Sequence, residues 1–369
     1  MRILVTGANG FIGKNLVIRL KEIGADVLTY TRGNTPAQLS NSLADADAVI
    51  HLAGENRPLD PLDFEVGNIG LTKLLCDAVQ RSGRKIPIIF ASSSQAGLDS
   101  PYGLSKLAAE RLIEGFVASH GGSAVIYRLP GVFGKWCEPN YNSVIATFCH
   151  NISRDLPIYI RDPDAEIQLV YIDDVVTELI DATQRGPIGL AMRSVAPEYT
   201  STLGVIAGHI KGFRNSRESL MSGRVGNGFV RALYSTYISY LPPEKIVYDL
   251  PTYKDDRGLF AEVLKTPDCG QFSFFTSASG LTRGGHYHHS KTEKFLVIRG
   301  NAHFRFRHII SGDTFDLHVS GERPQVVETI PGWIHDITNV GDDQMLVMLW
   351  ANEVFDRMHP DTITCEVGI

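Results

Sequence analysis

Residues 280–300 read GLTRGGHYHHSKTEKFLVIRG: three imidazoles (His286, His288, His289), a carboxylate (Glu293) and four cations, running into an apolar segment. His286 and His288 alternate with Tyr287, so on a strand both rings project to one side. Glu293 follows five residues later and returns to that side across a bend. Further on, IPGWIHDITN (330–339) sets another imidazole, His335, at a β turn. Three neutral imidazoles and one carboxylate suit a borderline divalent ion such as zinc. For His286 and His288 alone, a solvated loop that titrates near neutral pH is an equally good account. Short β runs surround the stretch, at 271–276, 294–298, 303–308, 315–319, 326–329 and 345–349. Gly, Asp and Pro separate them at the spacing of an all-β sandwich or barrel.

The chain opens in a different texture. From residue 1 to about 240, apolar runs at 2–6, 26–31, 48–52, 86–92 and 124–128 alternate with helical stretches. Ile12, Leu16, Leu20 and Ile23 recur at helical spacing after the first run. Repeated strand–helix–strand units imply a parallel, doubly wound α/β sheet of Rossmann type. Pro242-Pro243 then punctuates the chain, and the reading divides it into residues 1–244, α/β, and 245–369, all-β.

MRILVTGANGFIG (1–13) places Gly7, Gly10 and Gly13 directly after the first strand, opening a helix. Such glycines allow a tight turn, a close backbone approach to a pyrophosphate and close helix–strand packing. The N–H groups of Phe11 and Ile12 at the helix start face the anion. The second strand ends in Tyr30-Thr31-Arg32, with no acid for a ribose 2′-hydroxyl, and an arginine there favours the 2′-phosphate of NADPH. IIFASSSQAGLDSPYGLSK (88–106) sets a serine cluster at a strand end before Tyr102-Gly-Leu-Ser-Lys106. Residues four apart share a helix face, so Lys106 stands beside the Tyr102 phenol and is expected to lower its pKa. Tyr102 then serves as acid/base on a carbonyl whose oxygen a serine holds.

With these residues in view, the first half resembles the extended short-chain dehydrogenase/reductases, many of which act on nucleotide sugars. His51-Leu52-Ala53-Gly54 is similar to their signature beside the cofactor. Arg128-Leu-Pro-Gly-Val-Phe-Gly134 and Tyr171-Ile-Asp-Asp-Val175 match two further segments. The resemblance implies Ser93 as the catalytic serine, with Ser94 the alternative, alongside Tyr102 and Lys106. It also implies a cofactor contacted by Gly7, Gly10, Phe11, Ile12, Gly13, Arg32, Leu52, Ala53, Tyr102 and Lys106. The serine-to-tyrosine loop, at eight residues, is shorter than in most of that family.

Gly280-x5-His286-x-His288-x4-Glu293-x6-Gly300 and Pro331-Gly332-x2-His335-x3-Asn339 resemble the two cupin motifs, the second lacking a residue between its proline and glycine. Residues 245–369 are therefore similar to a cupin barrel, which implies His286, His288, Glu293 and His335 as metal ligands and His289 as a bystander. Asp255-x-Arg257-Gly258-x-Phe260-x-Glu262, then Arg283-Gly-Gly-His286, resemble the cupin-fold keto-sugar epimerases. Those enzymes use a histidine base and a lysine. Here His286 falls on both the base and the ligand positions, and Lys294 is the nearest counterpart of the lysine.

Both halves converge on a 4-keto nucleotide sugar, acidic beside its ketone and reducible at it. The resemblance implies C3 epimerisation of a UDP-2-acetamido-2,6-dideoxy-4-hexulose by the barrel. The first half then reduces C4 with NADPH to UDP-N-acetyl-6-deoxy-L-talosamine, toward UDP-N-acetyl-L-fucosamine for capsular polysaccharide. The competing expectation is a reductase or epimerase whose cupin only binds metal, for binding or oligomerisation. A first half that epimerises or dehydrates would keep its cofactor tightly bound.

Composition narrows the class. Hydrophobic residues at 43% and charged residues at 21% are those of a soluble globular chain, and a net charge of -6 argues against a broad nucleic-acid surface. The five cysteines lie far apart with no C-x-x-C pair, pointing to free thiols in a reducing compartment. No apolar run of about 18 residues is present, and the N-terminus lacks the pattern of a signal peptide. A cytoplasmic homo-oligomeric enzyme, most simply a dimer, is expected.

Overall fold

The structure is a computed structural model. It describes the chain except Pro251, Asp256, Arg257, Glu262, Lys265, Pro267, Asp268, Cys269, Val354, Phe355, Arg357 and Ile369. For Gln271 and the strands at 252–255 and 258–261 it describes the backbone alone. The chain forms two compact units: Met1–Ser143 with Glu166–Ser201, and Val144–Ala165 with Thr202–Ile369.

In the first unit, strands β1 (Arg2–Thr6), β2 (Asp26–Tyr30), β3 (Ala48–His51), β4 (Ile88–Ser93), β5 (Ala124–Leu129), β6 (Gly131–Phe133), β7 (Glu166–Tyr171), β8 (Leu190–Arg193) and β9 (Glu198–Thr202) alternate with helices. The helices are α1 (Phe11–Glu22), α2 (Pro36–Asp45), the short α3 (Leu62–Phe64), α4 (Leu71–Arg81), α5 (Pro101–His120) and, after α6 (Val144–Ser153) of the second unit, α7 (Ile172–Arg185). The main sheet runs β2-β1-β3-β4-β5-β8 with every pairing parallel. A small sheet, β6-β7-β9, lies beside it. Both faces of the main sheet are covered, so its central strands are apolar runs without alternation. Leu4, Val49, Ile88, Phe90 and Ile126 form their common core. The strand order reverses between β1 and β3, which opens a crevice at their carboxyl ends.

The second unit adds α8 (Leu203–Ser219) and α9 (Gly228–Ser239), then β10 (Val247–Asp249), β11 (Thr252–Asp255), β12 (Gly258–Ala261), β13 (Gln271–Ser277) and β14 (Thr282–Tyr287). The rest are β15 (Glu293–Arg299), β16 (Asn301–His308), β17 (Thr314–Ser320), β18 (Gln325–Glu328), β19 (Trp333–Asn339), β20 (Met345–Ala351) and β21 (Ile363–Thr364). Two five-stranded sheets, β10-β18-β15-β20-β13 and β17-β16-β19-β14-β21, make the antiparallel, cupin-like barrel. Strand alternation decides which side chains enter it. Phe295, Phe304, Phe306 and His335 meet inside through ring contacts of 5.7 to 6.3 Å. The helices α6, α8 and α9 belong to this compact unit although they precede residue 245.

Candidate functional site

At the carboxyl end of β1 the backbone leaves room only for glycine. Gly7 turns with φ +69°, and a Cβ there would lie 2.7 Å from the Ala53 backbone nitrogen. A Cβ on Gly13 would stand 2.2 Å from the Gly7 carbonyl oxygen. Helix α1 follows Gly10 with no side-chain cap, so its first turn, Phe11 and Ile12 included, offers backbone N–H donors that suit an anion. The His51–Gly54 segment is tied to the same loop. The Thr72 hydroxyl donates to the Asn68 carbonyl at 2.7 Å, so the Nε2–H of His51 donates to Thr72 Oγ1 at 2.9 Å. His51 Nδ1 then accepts from the Thr6 hydroxyl at 2.7 Å. Burial, with Lys106 adding to it, pushes the His51 pKa down to about 3 and keeps this ring neutral. Thr6 Oγ1 also takes the N–H groups of Leu52 and Ala53, both at 3.2 Å.

Arg32, expected to meet a 2′-phosphate, is 86% exposed at its side chain and paired with Glu55. A phosphate arriving there competes with a resident carboxylate. The sequence reading left Glu55 without a role.

Ser93 closes β4 and is buried, whereas Ser94 is exposed. Helix α5 starts with Ser100 as its cap and Pro101 in the first turn, which delivers Tyr102 to the strand end. There the phenol comes near the Ser93 hydroxyl. Burial raises the Tyr102 pKa, and the Ser93 hydroxyl only partly offsets it. Lys106, one turn on, is 6% exposed and donates to the Ala91 carbonyl at 2.9 Å. Burial pushes its pKa down to about 8, against the pull of Glu110. The i, i+4 spacing thus predicts one face correctly but not the electrostatics. The ammonium is spent on a strand carbonyl, and the phenol lies above its ordinary range rather than below it.

In the barrel, His286, His288, Glu293 and His335 come together, one ligand atom from each within 4.8 Å of the others. The three ring centroids are 4.7 to 5.3 Å apart. A backbone carbonyl only accepts, so the two Nδ1 atoms that meet one carry the proton. His288 donates to the Asp361 carbonyl, and His335 to that of Trp333 at 3.3 Å. In a neutral ring Nε2 then offers a lone pair. The two Nε2 atoms face one carboxylate oxygen of Glu293, at 3.2 Å from His288 and 3.6 Å from His335. Buried Nε2 of His335 has no hydrogen-bond partner. Burial, then the neighbouring rings, push His286 down to about 3, and burial lowers His335. Converging lone pairs around an ionised carboxylate are what a divalent cation satisfies, so the donor set fits zinc. His289 lies beside Tyr287, ring centroids 5.6 Å apart, outside the set.

Lys294 is not brought to this cluster. It follows Glu293 on β15, and neighbours on a strand face opposite sides. Glu293 points inward with Phe295. Lys294 points outward with Leu296, which packs against Leu220, Leu250 and Val326. The Lys294 ammonium pairs with Glu328 and donates to the Tyr248 hydroxyl at 3.1 Å. The lysine expected to steady an enolate is therefore a buried partner in a charge network. Arg257 and Glu262 of the epimerase-like motif lie outside the described residues, as do the side chains of Asp255 and Phe260.

Comparison with known proteins follows the same division. Residues 3–189, half of the chain, match the family model described as "NAD dependent epimerase/dehydratase family". This chain belongs to that family. Residues 253–363 match "Polysaccharide biosynthesis C-terminal domain". A Pseudomonas aeruginosa protein named "UDP-2-acetamido-2,6-beta-L-arabino-hexul-4-ose reductase" is 53% identical over 369 residues, covering 100% of this chain and 99% of that protein. The crystal structure of capsular polysaccharide assembling protein CapF from Staphylococcus aureus is similar over 100% of both chains, at 40% identity and a TM-score of 0.67. MoeE5, solved with UDP-glucose and NAD, covers 57% of this chain and 82% of its own, at 26% identity and a TM-score of 0.51. A fused α/β and cupin-like architecture resembling CapF, with a nicotinamide-dependent family in the first half, is thus established.

As a member of the epimerase/dehydratase family, the chain carries two further elements that motif reading did not find. Asn68 sits in a π-helical turn, Glu65–Gly70, a local irregularity often kept at functional sites. Its amide donates to Ser105 Oγ at 2.9 Å and accepts the Glu55 N–H at 2.8 Å, linking the Arg32–Glu55 pair to the helix of Tyr102. In the barrel, the half-buried Asp361 carboxylate accepts the backbone N–H groups of His289, Ser290 and Lys291 at 2.7 to 2.8 Å, and the Ser290 hydroxyl at 3.0 Å. It shapes the turn between His288 and Glu293. A lone aspartate some seventy residues downstream gives no local signal of this.

Proposed function

We propose that this chain is a bifunctional nucleotide-sugar enzyme. The β-barrel half, residues 245–369, epimerises C3 of a UDP-2-acetamido-2,6-dideoxy-4-hexulose. The first half, residues 1–244, reduces its C4 ketone with NADPH to UDP-N-acetyl-6-deoxy-L-talosamine, a step toward UDP-N-acetyl-L-fucosamine for capsular polysaccharide. The observation that carries the reductase reading is that buried Ser93 at the end of β4 and Tyr102 and Lys106 in the first turns of α5 come to one strand end, with Lys106 held on the Ala91 carbonyl. The name of the whole-length relative supports the substrate class.

Bound NADPH supplies the hydride. Ser93 holds the C4 carbonyl oxygen, and Tyr102 delivers a proton to that oxygen as negative charge develops on it. Lys106, held on the Ala91 carbonyl, stands one turn from the phenol and borders the cofactor. Gly7, Gly10 and Gly13 with the N–H groups of Phe11 and Ile12 receive the pyrophosphate, Leu52 and Ala53 border the nucleoside, and Arg32 exchanges Glu55 for the 2′-phosphate. Arg32→Ala is expected to raise the KM for NADPH about tenfold, the scale of one exposed charge-assisted contact, while leaving the KM for NADH unchanged. Equal effects on both cofactors would refute this role.

In the barrel, His286, His288, Glu293 and His335 hold a divalent ion, proposed as zinc, which supplies Lewis-acid polarisation of the ketone. Elemental analysis is expected to give about one ion per chain, lost in His335→Ala. The deciding experiment is proton NMR of the 4-keto sugar in deuterium oxide with the full chain and no NADPH. Deuterium at C3 supports the epimerase half. No exchange from a chain that still oxidises NADPH leaves a reductase with a metal-binding barrel. That second reading is favoured by one observation, the outward orientation of Lys294.

A further inference from the structure

Away from the Glu293 cluster, the hairpin of β16 and β17 carries another set of metal-ligating groups. His303 and His318 stand directly opposite each other in the antiparallel register. Their rings stack with centroids 4.3 Å apart and planes 6° apart. Asp316, two residues before His318 and so on the same face, holds its Oδ2 3.0 Å from His303 Nε2. The face is the outer one, because the alternate residues Ala302, Phe304 and Phe306 are buried. One ligand atom from each of the three residues lies within 4.8 Å of the others.

The cation best placed to neutralise Asp316 does not do so. The register sets Arg305 opposite Asp316, but the Arg305 guanidinium donates to both carboxylate oxygens of Asp336 on β19, at 3.0 and 2.5 Å. Asp316 is left to the imidazoles. Its side chain is 61% exposed, and that of His303 25%, so water and ions reach the group.

We propose that His303, Asp316 and His318 form a second divalent-metal site, selective for zinc, copper(II) or nickel(II) over magnesium and calcium. Two imidazoles and a carboxylate are the donors borderline ions prefer, and magnesium and calcium require oxygen-rich shells. Three protein ligands leave the fourth tetrahedral position to water. Small ring rotations bring the stacked nitrogens to converge. Because the donors come from two strands, an ion there ties β16 to β17 and stabilises the folded chain by mass action.

The site is tested independently of the epimerase reading, by titrating zinc chloride in a calorimeter into full-length protein brought beforehand to about one ion per chain. The variants are His303→Gln/His318→Gln, His318→Gln and Asp316→Asn. The expected result is one further equivalent in the wild-type chain, absent from the double variant and weakened about tenfold or more in Asp316→Asn. Metal content at the first site, by elemental analysis before titration, stays unchanged. Excess zinc raises the melting temperature of the wild-type chain and not of the double variant. If the double variant melts early without added zinc, His318→Gln alone carries the comparison. A wild-type chain that takes up no further equivalent overturns the proposal, as does an equivalent that survives loss of both imidazoles.

Discussion

Tyr102→Phe is expected to lower NADPH-dependent reduction of the keto sugar about 10²- to 10⁴-fold, the range for removing a positioned general acid. The loss should fall on kcat, because the hydroxyl acts on charge that develops only in the transition state. The substitution removes one oxygen and keeps the ring, whose centroid lies 5.9 Å from that of Phe64. Melting temperature and NADPH binding are therefore expected to stay near wild type. The decisive readout is deuterium exchange at C3 in the absence of NADPH, which should persist. If exchange disappears with reduction, the two chemistries share one site and the proposed division of labour fails.

Glu328→Ala is expected to destabilise the second unit by about 3–5 kcal/mol, the cost of leaving buried charges without a counter-ion. Glu328 is 2% exposed and pairs with both Arg217 and Lys294. Burial alone would favour its neutral form, but these two cations outweigh burial and keep its pKa low. The reciprocal effect raises Lys294, where the attraction of Glu328 overcomes the penalty of burial. Without Glu328, two cations face each other around the Tyr248 ring, at 5.2 and 5.4 Å from its centroid. Urea unfolding of the two single variants separates the contributions. Lys294→Met leaves an Arg217–Glu328 pair beside a well-packed apolar chain and is expected to cost about 1–2 kcal/mol. It also tests the chemistry. A chain with Met at 294 that retains C3 exchange confirms the outward, structural role, whereas selective loss of exchange at full stability would restore Lys294 to catalysis.

These two variants mark where sequence was sufficient and where it was not. Gly7 and Gly13 are legible because the constraint is local: a Cβ at either would strike backbone atoms. The cluster of candidate ligands is legible because His286, His288 and Glu293 lie within eight residues of one another, and His335 carries its own turn signal. The place of Lys294 is less legible: alternation along β15 sets it on the face opposite Glu293, where it meets Glu328 and Tyr248. The Tyr102–Lys106 spacing predicts proximity but is blind to Ala91, the carbonyl that takes the ammonium. Composition draws a boundary at residue 244, whereas compact packing draws α6, α8 and α9 to the barrel through contacts such as Arg217–Glu328. Long-range partners such as Glu328, Glu55 and Asp361 carry no periodicity or motif, so only the folded chain reveals them.

The clamp formed by Asp361 has a consequence in time. The turn at 288–291 is held by a carboxylate some 70 residues later in the chain. Contacts of such separation form late, because the chain between them must first be ordered. During synthesis the α/β unit, whose strands end at Thr202, can reach its fold while the imidazole turn is still unanchored. The cluster of His286, His288, Glu293 and His335 is thus completed only at the last stage of folding, after the α/β unit is in place.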